Sequence, residues 1–291
     1  MKMDWNRLLA PERLRQTTRT HSEFDQRNEF ESDYGRVIFS PALRRMHDKT
    51  QVFPLNKDDN THTRLTHSLE VATLSKSLGI NLCANKDFIQ KINYDKHKKG
   101  DLVRIIPEIL SSIALCHDIG NPPFGHFGEV IIADYFEKYF FNEKKKEKVI
   151  ITEVQEGDFT KYNGNAQGFR VLTKQQILQD KFGLNLTIGT LSSFLKYPNL
   201  STEIIADETY HRKLGVFQSE KDILSEIRRV TGTNHLRNPL AFLVEAADTI
   251  CCHVMDIEDG FNRGLYKIDD IYNYIIHNGN ASVAEEFEKL R

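Results

Sequence analysis

The sequence predicts an all-α fold, and two observations lead to this prediction. Apolar residues recur at helical spacing over most of the 291 residues. Strand-like composition is confined to one stretch, residues 148–162, where valine and isoleucine stand among threonine, glutamate and glycine. We therefore expect a helical domain with a short β-hairpin over 148–162.

The predicted helices follow one another along the chain. The first runs from Ser68 to Leu82, and the second runs from Leu102 to Ile119. Five further helical segments are expected at residues 127–141, 171–182, 188–197, 220–230 and 239–255. Residues 162–165 contain Asn-Gly and predict a turn.

The domain organisation follows from the lack of any repeat or low-complexity linker in the sequence. A single domain over residues 1–291 is therefore the simplest prediction. An amphipathic helix over 281–291 reaches the last residue without a glycine or proline stop. We therefore expect either a shortened chain or a gene product that ends early.

The charge and the cysteines limit the class of protein. A net charge of −2 creates no overall field toward nucleic acid or membrane, and it argues against a large footprint on single-stranded nucleic acid. The four cysteines form no Cys-x-x-Cys motif, which favours a reduced intracellular protein. With no signal peptide and no apolar run of membrane-spanning length, we expect a soluble cytoplasmic protein.

Two adjacent metal-ligand residues, His117 and Asp118, end an apolar helical stretch and precede Gly-Asn-Pro-Pro. A buried carboxylate without a partner is costly, so a buried Asp118 needs a cation. His67 at a helix start and Asp248 in an apolar helical stretch are the candidate partners. From the residues alone, a capping or core His67 and an arginine-paired Asp248 are the alternatives. Two nitrogens and two oxygens suit Mg or Mn, and they also accept Fe, Co, Ni or Zn.

Two further pairs have the three-residue spacing that places side chains on one helix face. His126 and Glu129 suit a carboxylate that orients a proton-transferring imidazole, with a capping glutamate beside a surface histidine as the alternative. Arg64 stands three residues before His67, which would place a guanidinium beside the metal for a phosphate. A surface arginine is the alternative for Arg64.

Asp248, Cys252 and Asp256 step by four along one helical face. This spacing would extend the metal site into a deeper pocket. The alternative is a core face in which Cys252 is a small apolar filler and Asp256 reaches solvent.

Several blocks of the sequence resemble the bacterial deoxyguanosine triphosphate triphosphohydrolase (dGTPase) family of the HD-domain superfamily. They occur in the family's order and cover nearly the whole chain, at residues 40–46, 49–54, 63–71, 117–126, 164–170, 195–198 and 241–248. The resemblance implies an all-α HD fold and hydrolysis of a deoxynucleoside triphosphate to deoxynucleoside and inorganic triphosphate. It names dGTP through the family name alone, and it implies a homo-oligomer that responds to a dNTP effector.

The resemblance also implies roles for individual residues. The metal ligands would be His67, His117, Asp118 and Asp248. The catalytic residues would be His126 and Glu129. The substrate would be bound by Gln51, Arg64, Asn165, Lys196, Tyr197, Cys252 and Asp256.

The sequence departs from the family pattern at two points. Cys252 stands where the family usually has a tyrosine that walls the sugar pocket. Family members also normally continue beyond the length of this chain, so we expect it to lack their C-terminal part. An HD-type phosphodiesterase or nucleotidase, and a dNTP-binding sensor with weak catalysis, are therefore the alternative functions.

Overall fold

The computed structural model describes residues 3–15, 24–53, 61–144, 151–176, 181–279 and 281–289. Within these ranges regular structure is helical, and two isolated β-bridges, Arg13 with Thr187 and Thr50 with Thr63, form no sheet. The predicted all-α fold is confirmed.

The α-helices are short near the N-terminus and longer toward the middle of the chain. In order they are α1 (Trp5–Leu8), α2 (Glu29–Ile38), α3 (Pro41–Arg45), α4 (Arg64–Ala84), α5 (Lys86–Lys91), α6 (Leu102–Cys116), α7 (Gly125–Lys144), α8 (Glu153–Thr160), α9 (Gly164–Arg170), α10 (Ile188–Phe194), α11 (Lys221–Thr231), α12 (Pro239–Asn262), α13 (Ile268–Asn278) and α14 (Ala281–Lys289). Three 3₁₀ turns, at Met46–Asp48, Lys96–Asp101 and Gln218–Glu220, and a π-helical turn at Val171–Gln175 complete the set.

Helix α6 is the centre of the core, and it packs against α2, α4 and α10. Its side chains are buried on nearly all sides, as Ile106, Ile109 and Leu110 illustrate at 0% exposure. Helix α4 approaches it closely at Gly79, where an added Cβ would lie 2.8 Å from Leu110 Cδ1 and 3.1 Å from Pro107 Cα. The close contact between α4 and α6 thus favours a glycine at this position.

The predicted helix over 171–182 is wrong in its extent. Helix α9 begins earlier, at Gly164, and its continuation Val171–Gln175 is a π-helical turn. Residues 177–180 lie outside the described ranges, and residues 181–184 form a turn. Gly183 has a φ of 59°, and the next residue, Leu184, donates its N–H to Leu172 O at 2.9 Å. A left-handed glycine and a returning hydrogen bond are incompatible with a continuous helix.

The predicted hairpin over 148–162 is also wrong, because its described part, 151–162, contains helix α8. A capping box begins this helix: Gln155 N donates to Thr152 Oγ1 at 3.3 Å, and Thr152 N donates to Gln155 Oε1 at 3.0 Å. Phe159 then packs against Phe136 of α7 with ring centroids 4.8 Å apart. Capping and tertiary packing outweigh the strand propensity of this stretch.

The chain divides into two compact units, Met1–Ala247 and Asp248–Arg291, with the division inside α12. The first unit contains the core around α6. In the second, α13 packs on α14, and the Tyr266 hydroxyl donates to the carbonyl of Ile257. The single domain over 1–291 stays a prediction.

No helix of the described residues combines the length and the apolarity that a bilayer span needs.

A buried ion-pair cluster joins three distant parts of the first unit. Arg13 Nη1 lies 2.7 Å from Asp33 Oδ1, and Arg13 Nη2 lies 2.7 Å from Glu29 Oε2. The other oxygen of Asp33 accepts hydrogen bonds from Thr187 N at 2.9 Å and from Thr187 Oγ1 at 2.7 Å. Asp33 is 0% exposed, so its carboxylate holds the N-terminal segment, α2 and the start of α10 together.

Replacement of this carboxylate tests how much the cluster stabilises the fold. Asp33→Ala should lower the free energy of unfolding by about 3–5 kcal/mol, because the buried Arg13 loses one of its carboxylate partners and Thr187 loses its acceptor. Urea unfolding followed by circular dichroism measures the change. The matched control is Asp134→Ala, which breaks the exposed pair with Lys138 and should cost less than about 1 kcal/mol. Equal effects of the two substitutions would contradict this account.

Candidate metal centre and active site

The centre of the site lies where α4 begins and α6 ends. A capping box between Thr63 and Thr66 fixes the first turn of α4, which places His67 one turn into the helix at 0% exposure. His117 directly follows the last residue of α6. The rings of His67 and His117 meet edge to face with centroids 5.3 Å apart. Two residues that are 50 positions apart in sequence thus become neighbours.

These residues form a set that fits a divalent cation. Ligand atoms of His67, His117 and Asp118 all lie within 4.8 Å of one another. His117 Nε2 and Asp118 Oδ1 are 3.6 Å apart, a separation that one ion with metal–ligand distances of about 2.0–2.2 Å can span. His117 Nδ1 is 2.6 Å from Ala114 O, which fixes the ring and directs Nε2 away from the helix. A backbone carbonyl behind a ligating imidazole is the usual support for such a site.

A second potential group overlaps the first through His67. It consists of His62, His67 and Glu70, and His62 Nε2 lies 3.2 Å from Glu70 Oε2. His62 and Glu70 are not among the site residues predicted from the sequence. The three-residue step from His67 to Glu70 on one helix was the available signal for this group.

Asp118 has two partners besides the candidate ligands. Arg64 Nη1 donates to its Oδ2 at 2.6 Å, and Asn121 Nδ2 donates to its Oδ1 at 2.5 Å. Both Arg64 and Asp118 are buried, at 6% and 7% exposure. The structure thus brings the predicted guanidinium into contact with a predicted metal ligand. The role of Arg64 toward phosphate stays a prediction.

The backbone after Pro122-Pro123 turns back toward this arginine. Gly125 has a φ of 53°, and an added Cβ would lie 2.9 Å from Arg64 Nη2. Phe124 also has a positive φ, 65°, which costs a non-glycine residue about 1–2 kcal/mol. The tight turn brings the first residues of α7 close to the guanidinium.

His126 and Glu129 form the pair that their spacing predicts, at the start of α7. His126 Nδ1 is 2.8 Å from Glu129 Oε2, and Gly164 N donates to Glu129 Oε1 at 2.6 Å. Burial would raise the pKa of Glu129, but the bonds from His126 and Gly164 outweigh burial and leave this pKa below its usual value. The side chain of His126 is 80% exposed and accessible to a ligand. Its catalytic role stays a prediction.

Gln51 is positioned by a short backbone ladder beside the start of α4. Arg64 N donates to Lys49 O at 2.8 Å, and Gln51 N donates to His62 O at 3.0 Å. Gln51 Oε1 is buried and accepts no hydrogen bond from the described residues. The ladder explains how a predicted substrate residue reaches the metal-ligand helix.

Lys49 received no role from its sequence, yet the structure places it at the site. Its Nζ donates to Asn121 O at 3.0 Å. Burial, followed by the positive charges of Arg64 and Arg45, lowers its pKa, and Asp118 opposes the shift. The sequence indicated Lys49 only as the first residue of the block 49–54 that resembles the family. Arg64 thus contacts Asp118 directly, and Lys49 adds a second positive charge that interacts with it.

Lys196 and Tyr197 belong to a separate group of charged and aromatic side chains. Lys196 Nζ lies 3.2 Å from Glu245 Oε1, and Arg237 Nη1 pairs with Glu245 Oε2. Tyr197 is 5% exposed, and Lys196 and Arg237 lie 6.0 and 5.8 Å from its ring centroid. Burial raises the pKa of Glu245, but both cations outweigh it and lower this pKa. The predicted substrate contacts of Lys196 and Tyr197 stay predictions.

Three other predicted site residues have local contacts, and a fourth, Asp256, is exposed. Asn165 Nδ2 donates to Asn163 Oδ1 at 2.9 Å at the start of α9. In the second unit, Cys252 Sγ donates to Asp248 Oδ1 at 3.5 Å, as the four-residue step predicts. Metal binding by Asp248 and substrate binding by Asn165, Cys252 and Asp256 stay predictions.

Known proteins resemble this chain in sequence. The HD domain family matches residues 64–161. A deoxyguanosinetriphosphate triphosphohydrolase-like protein from Listeria monocytogenes is 41% identical over 92% of this chain and 58% of its own length. The corresponding protein from Synechocystis is 37% identical over 99% of this chain and 68% of its own length. A deoxyguanosinetriphosphate triphosphohydrolase from Enterobacter is 31% identical over 94% of this chain and 57% of its own length.

The chain spans 57–68% of the length of these three relatives. Within that span, the match to the HD domain begins at Arg64 and includes His67, His117 and Asp118. The resemblance found in the sequence motifs is therefore confirmed, and the chain belongs to the deoxyguanosinetriphosphate triphosphohydrolase-like family of HD-domain proteins.

Proposed function

We propose that this protein hydrolyses a deoxynucleoside triphosphate to the deoxynucleoside and inorganic triphosphate, and that it requires a divalent cation. The observation that carries the proposal is the cluster of His67, His117 and Asp118, whose ligand atoms lie within 4.8 Å of one another beside the Arg64 guanidinium. dGTP is the proposed substrate because the relatives carry that name.

Three residues would hold the cation in the first unit, namely His67, His117 and Asp118, and Asp248 is the proposed fourth ligand. Two imidazoles and carboxylate oxygens suit Mg or Mn, and they also accept Fe, Co, Ni or Zn. When bound, the cation would offset the negative charge that develops on the phosphoryl oxygens.

The proposed phosphate contacts come from cations with fixed positions. Arg64 is held by Asp118 and by the turn at Gly125, so its guanidinium loses little freedom when a phosphate binds. Lys49 adds a second positive charge near Asp118, with its Nζ bonded to Asn121 O. Together they would offset charge on the triphosphate, with Lys196 as a further contact.

Gln51 would accept a hydrogen bond from the 3′-hydroxyl of the sugar. Its buried Oε1 has no donor among the described residues, and a hydroxyl would supply one. Asn165, Tyr197, Cys252 and Asp256 are the remaining proposed contacts with the nucleotide.

His126 would donate a proton to the departing 5′-oxygen. Its Nδ1 is held by Glu129, so the opposite ring nitrogen, Nε2, is the atom directed at the substrate. Glu129 is itself fixed by the Gly164 N–H. The positions of the imidazole and of its carboxylate are therefore set before substrate arrives.

A second candidate function, a dNTP sensor with weak turnover, is favoured by one observation. Cys252 replaces the aromatic residue that walls the family's sugar pocket, and a thiol is too small to stack on a sugar. A sensor would bind dNTP without releasing product. We further propose a homo-oligomer that a dNTP effector regulates, because the family resemblance implies both properties. A cytoplasmic location is proposed from the cysteine pattern.

Product identification tests the reaction itself. With Mn or Mg present and each of the four dNTPs as substrate, ion-exchange separation should show inorganic triphosphate and deoxynucleoside, with dGTP turned over fastest. Release of pyrophosphate or orthophosphate would contradict the proposal and favour the nucleotidase. Tight dNTP binding in calorimetry without any turnover would favour the sensor.

Metal content tests the ligand assignment. His117→Ala and Asp118→Ala should each weaken Mn binding at least about tenfold, because each removes one of few ligands. Equilibrium dialysis followed by atomic emission spectrometry measures the bound metal. His235→Ala is the matched control, since His235 is exposed and lies 3.8 Å from Glu203. Unchanged metal content in the two ligand variants would disprove the assignment.

The role of His126 is tested by separating turnover from metal binding. His126→Ala should lower kcat by about 10²–10⁴-fold, the usual contribution of a general acid, and should leave bound metal unchanged. Steady-state kinetics and the same dialysis measurement check both expectations. Loss of metal together with activity would show that His126 has a different role, and His235→Ala again serves as control.

A further inference from the structure

A cavity of about 440 Å³ lies in the first unit, bounded by α7, α8, α9 and the 3₁₀ turn at Gln218–Glu220. This volume is within the usual range for small-molecule sites, about 300–1,000 Å³. Its lining includes none of the candidate metal ligands and neither His126 nor Glu129. The function proposed above leaves this cavity unused.

Four of the twelve described residues that line the cavity are aromatic. Phe136 and Phe159 contact each other with ring centroids 4.8 Å apart, and Tyr162 and Phe217 form a second pair at 6.2 Å. Aromatic pairs of this kind bind flat rings through offset stacking and edge-to-face contacts. The shape and chemistry of the walls therefore favour a planar aromatic ligand.

Among the described lining residues, the one carboxylate is that of Asp158. Asp158 is 9% exposed, and its Oδ2 accepts a hydrogen bond from Gln218 N at 2.7 Å. Its Oδ1 is buried and accepts no hydrogen bond from the described residues. The Ser201 hydroxyl donates to Val154 O at 3.3 Å, and it also interacts with Asp158. Burial raises the pKa of Asp158, and the hydrogen bonds from Gln218 and Ser201 oppose the rise without cancelling it. Because this buried carboxylate is incompletely satisfied, the cavity favours a ligand that brings an N–H group.

The charges around Asp158 exclude simpler ligands. Arg170 also lines the cavity and donates to Ser219 Oγ at 3.3 Å. Glu220 is 0% exposed and pairs with Lys174 at 3.3 Å. A phosphate would meet the carboxylate of Asp158 as well as Arg170, and a metal ion would find one carboxylate beside a positive charge. A neutral ring with donor groups is repelled neither by the Asp158 carboxylate nor by the Arg170 guanidinium.

We propose that this cavity binds a flat aromatic aminoheterocycle, with its rings between the two aromatic pairs and an N–H group donating to Asp158 Oδ1. The site is separate from the proposed metal centre. Its existence does not depend on the hydrolase activity.

A matched pair of probes tests the proposal on the full chain. 2-Aminobenzothiazole has the fused rings and an amino group, whereas benzothiazole has the same rings without any N–H. Isothermal titration calorimetry should show the amino compound binding at least about tenfold more tightly, because only it satisfies the carboxylate. Equal affinities, or no binding of either compound, would overturn the proposal.

Asp158→Asn locates the interaction. The amide retains the shape and an acceptor for Gln218 N, but it can present its NH₂ group to the cavity, so the preference for the amino compound should disappear. Glu153→Gln is the control, because Glu153 is exposed in the first turn of the same helix, and its affinities should match the wild type. An amino preference that survives in Asp158→Asn would overturn the assignment.

A second variant keeps the test valid if Asp158→Asn is poorly folded. Phe159→Ala removes a ring of the wall that is 39% exposed, so the fold should tolerate it. It should weaken binding of both probes alike and leave the thermal unfolding midpoint within a few degrees of the wild type. Unchanged affinity for both probes in this folded variant would show that they bind elsewhere.

Discussion

The close packing of α4 against α6 is the contact on which the candidate site depends. His67 stands near the beginning of α4, and His117 follows the end of α6. An added Cβ on Gly79 would lie 3.1 Å from Pro107 Cα and 2.8 Å from Leu110 Cδ1, so a side chain there would require α4 and α6 to adjust. Gly79 therefore favours the close approach of the two helices next to which the imidazoles lie.

Asp118 connects the candidate metal ligands to the Arg64 guanidinium. A carboxylate has about four lone-pair positions, and Arg64 and Asn121 use one on each oxygen. The remaining positions are available to a cation beside His117. The positive charge of Arg64 offsets the carboxylate charge of Asp118. An unpaired charge at 7% exposure would destabilise the fold. Because the guanidinium is already ordered, it would lose little further conformational entropy on binding a phosphate.

Local patterns in the sequence predicted the parts of this site that depend on helical spacing. The contact between His126 and Glu129 is an i, i+3 pair within one helix, so periodicity was sufficient. The place of Lys49 was not predictable in this way, because it depends on a backbone ladder to residues 62–64 and on Asn121. The predicted hairpin over 148–162 is wrong for a similar reason. The cap at Thr152 and the packing of α8 on α7 outweighed a local strand preference.

Gly164 links the metal side of the site to the proton-transfer side. Its N–H donates to Glu129, which holds His126, and an added Cβ would lie 2.9 Å from Glu129 Oε1 and 2.2 Å from Asn121 Oδ1. Asn121 in turn donates to Asp118. Any side chain at Gly164 would therefore displace the groups that orient both the carboxylate ligand and the imidazole. The two halves of the candidate site share one backbone position, so neither can shift there without the other.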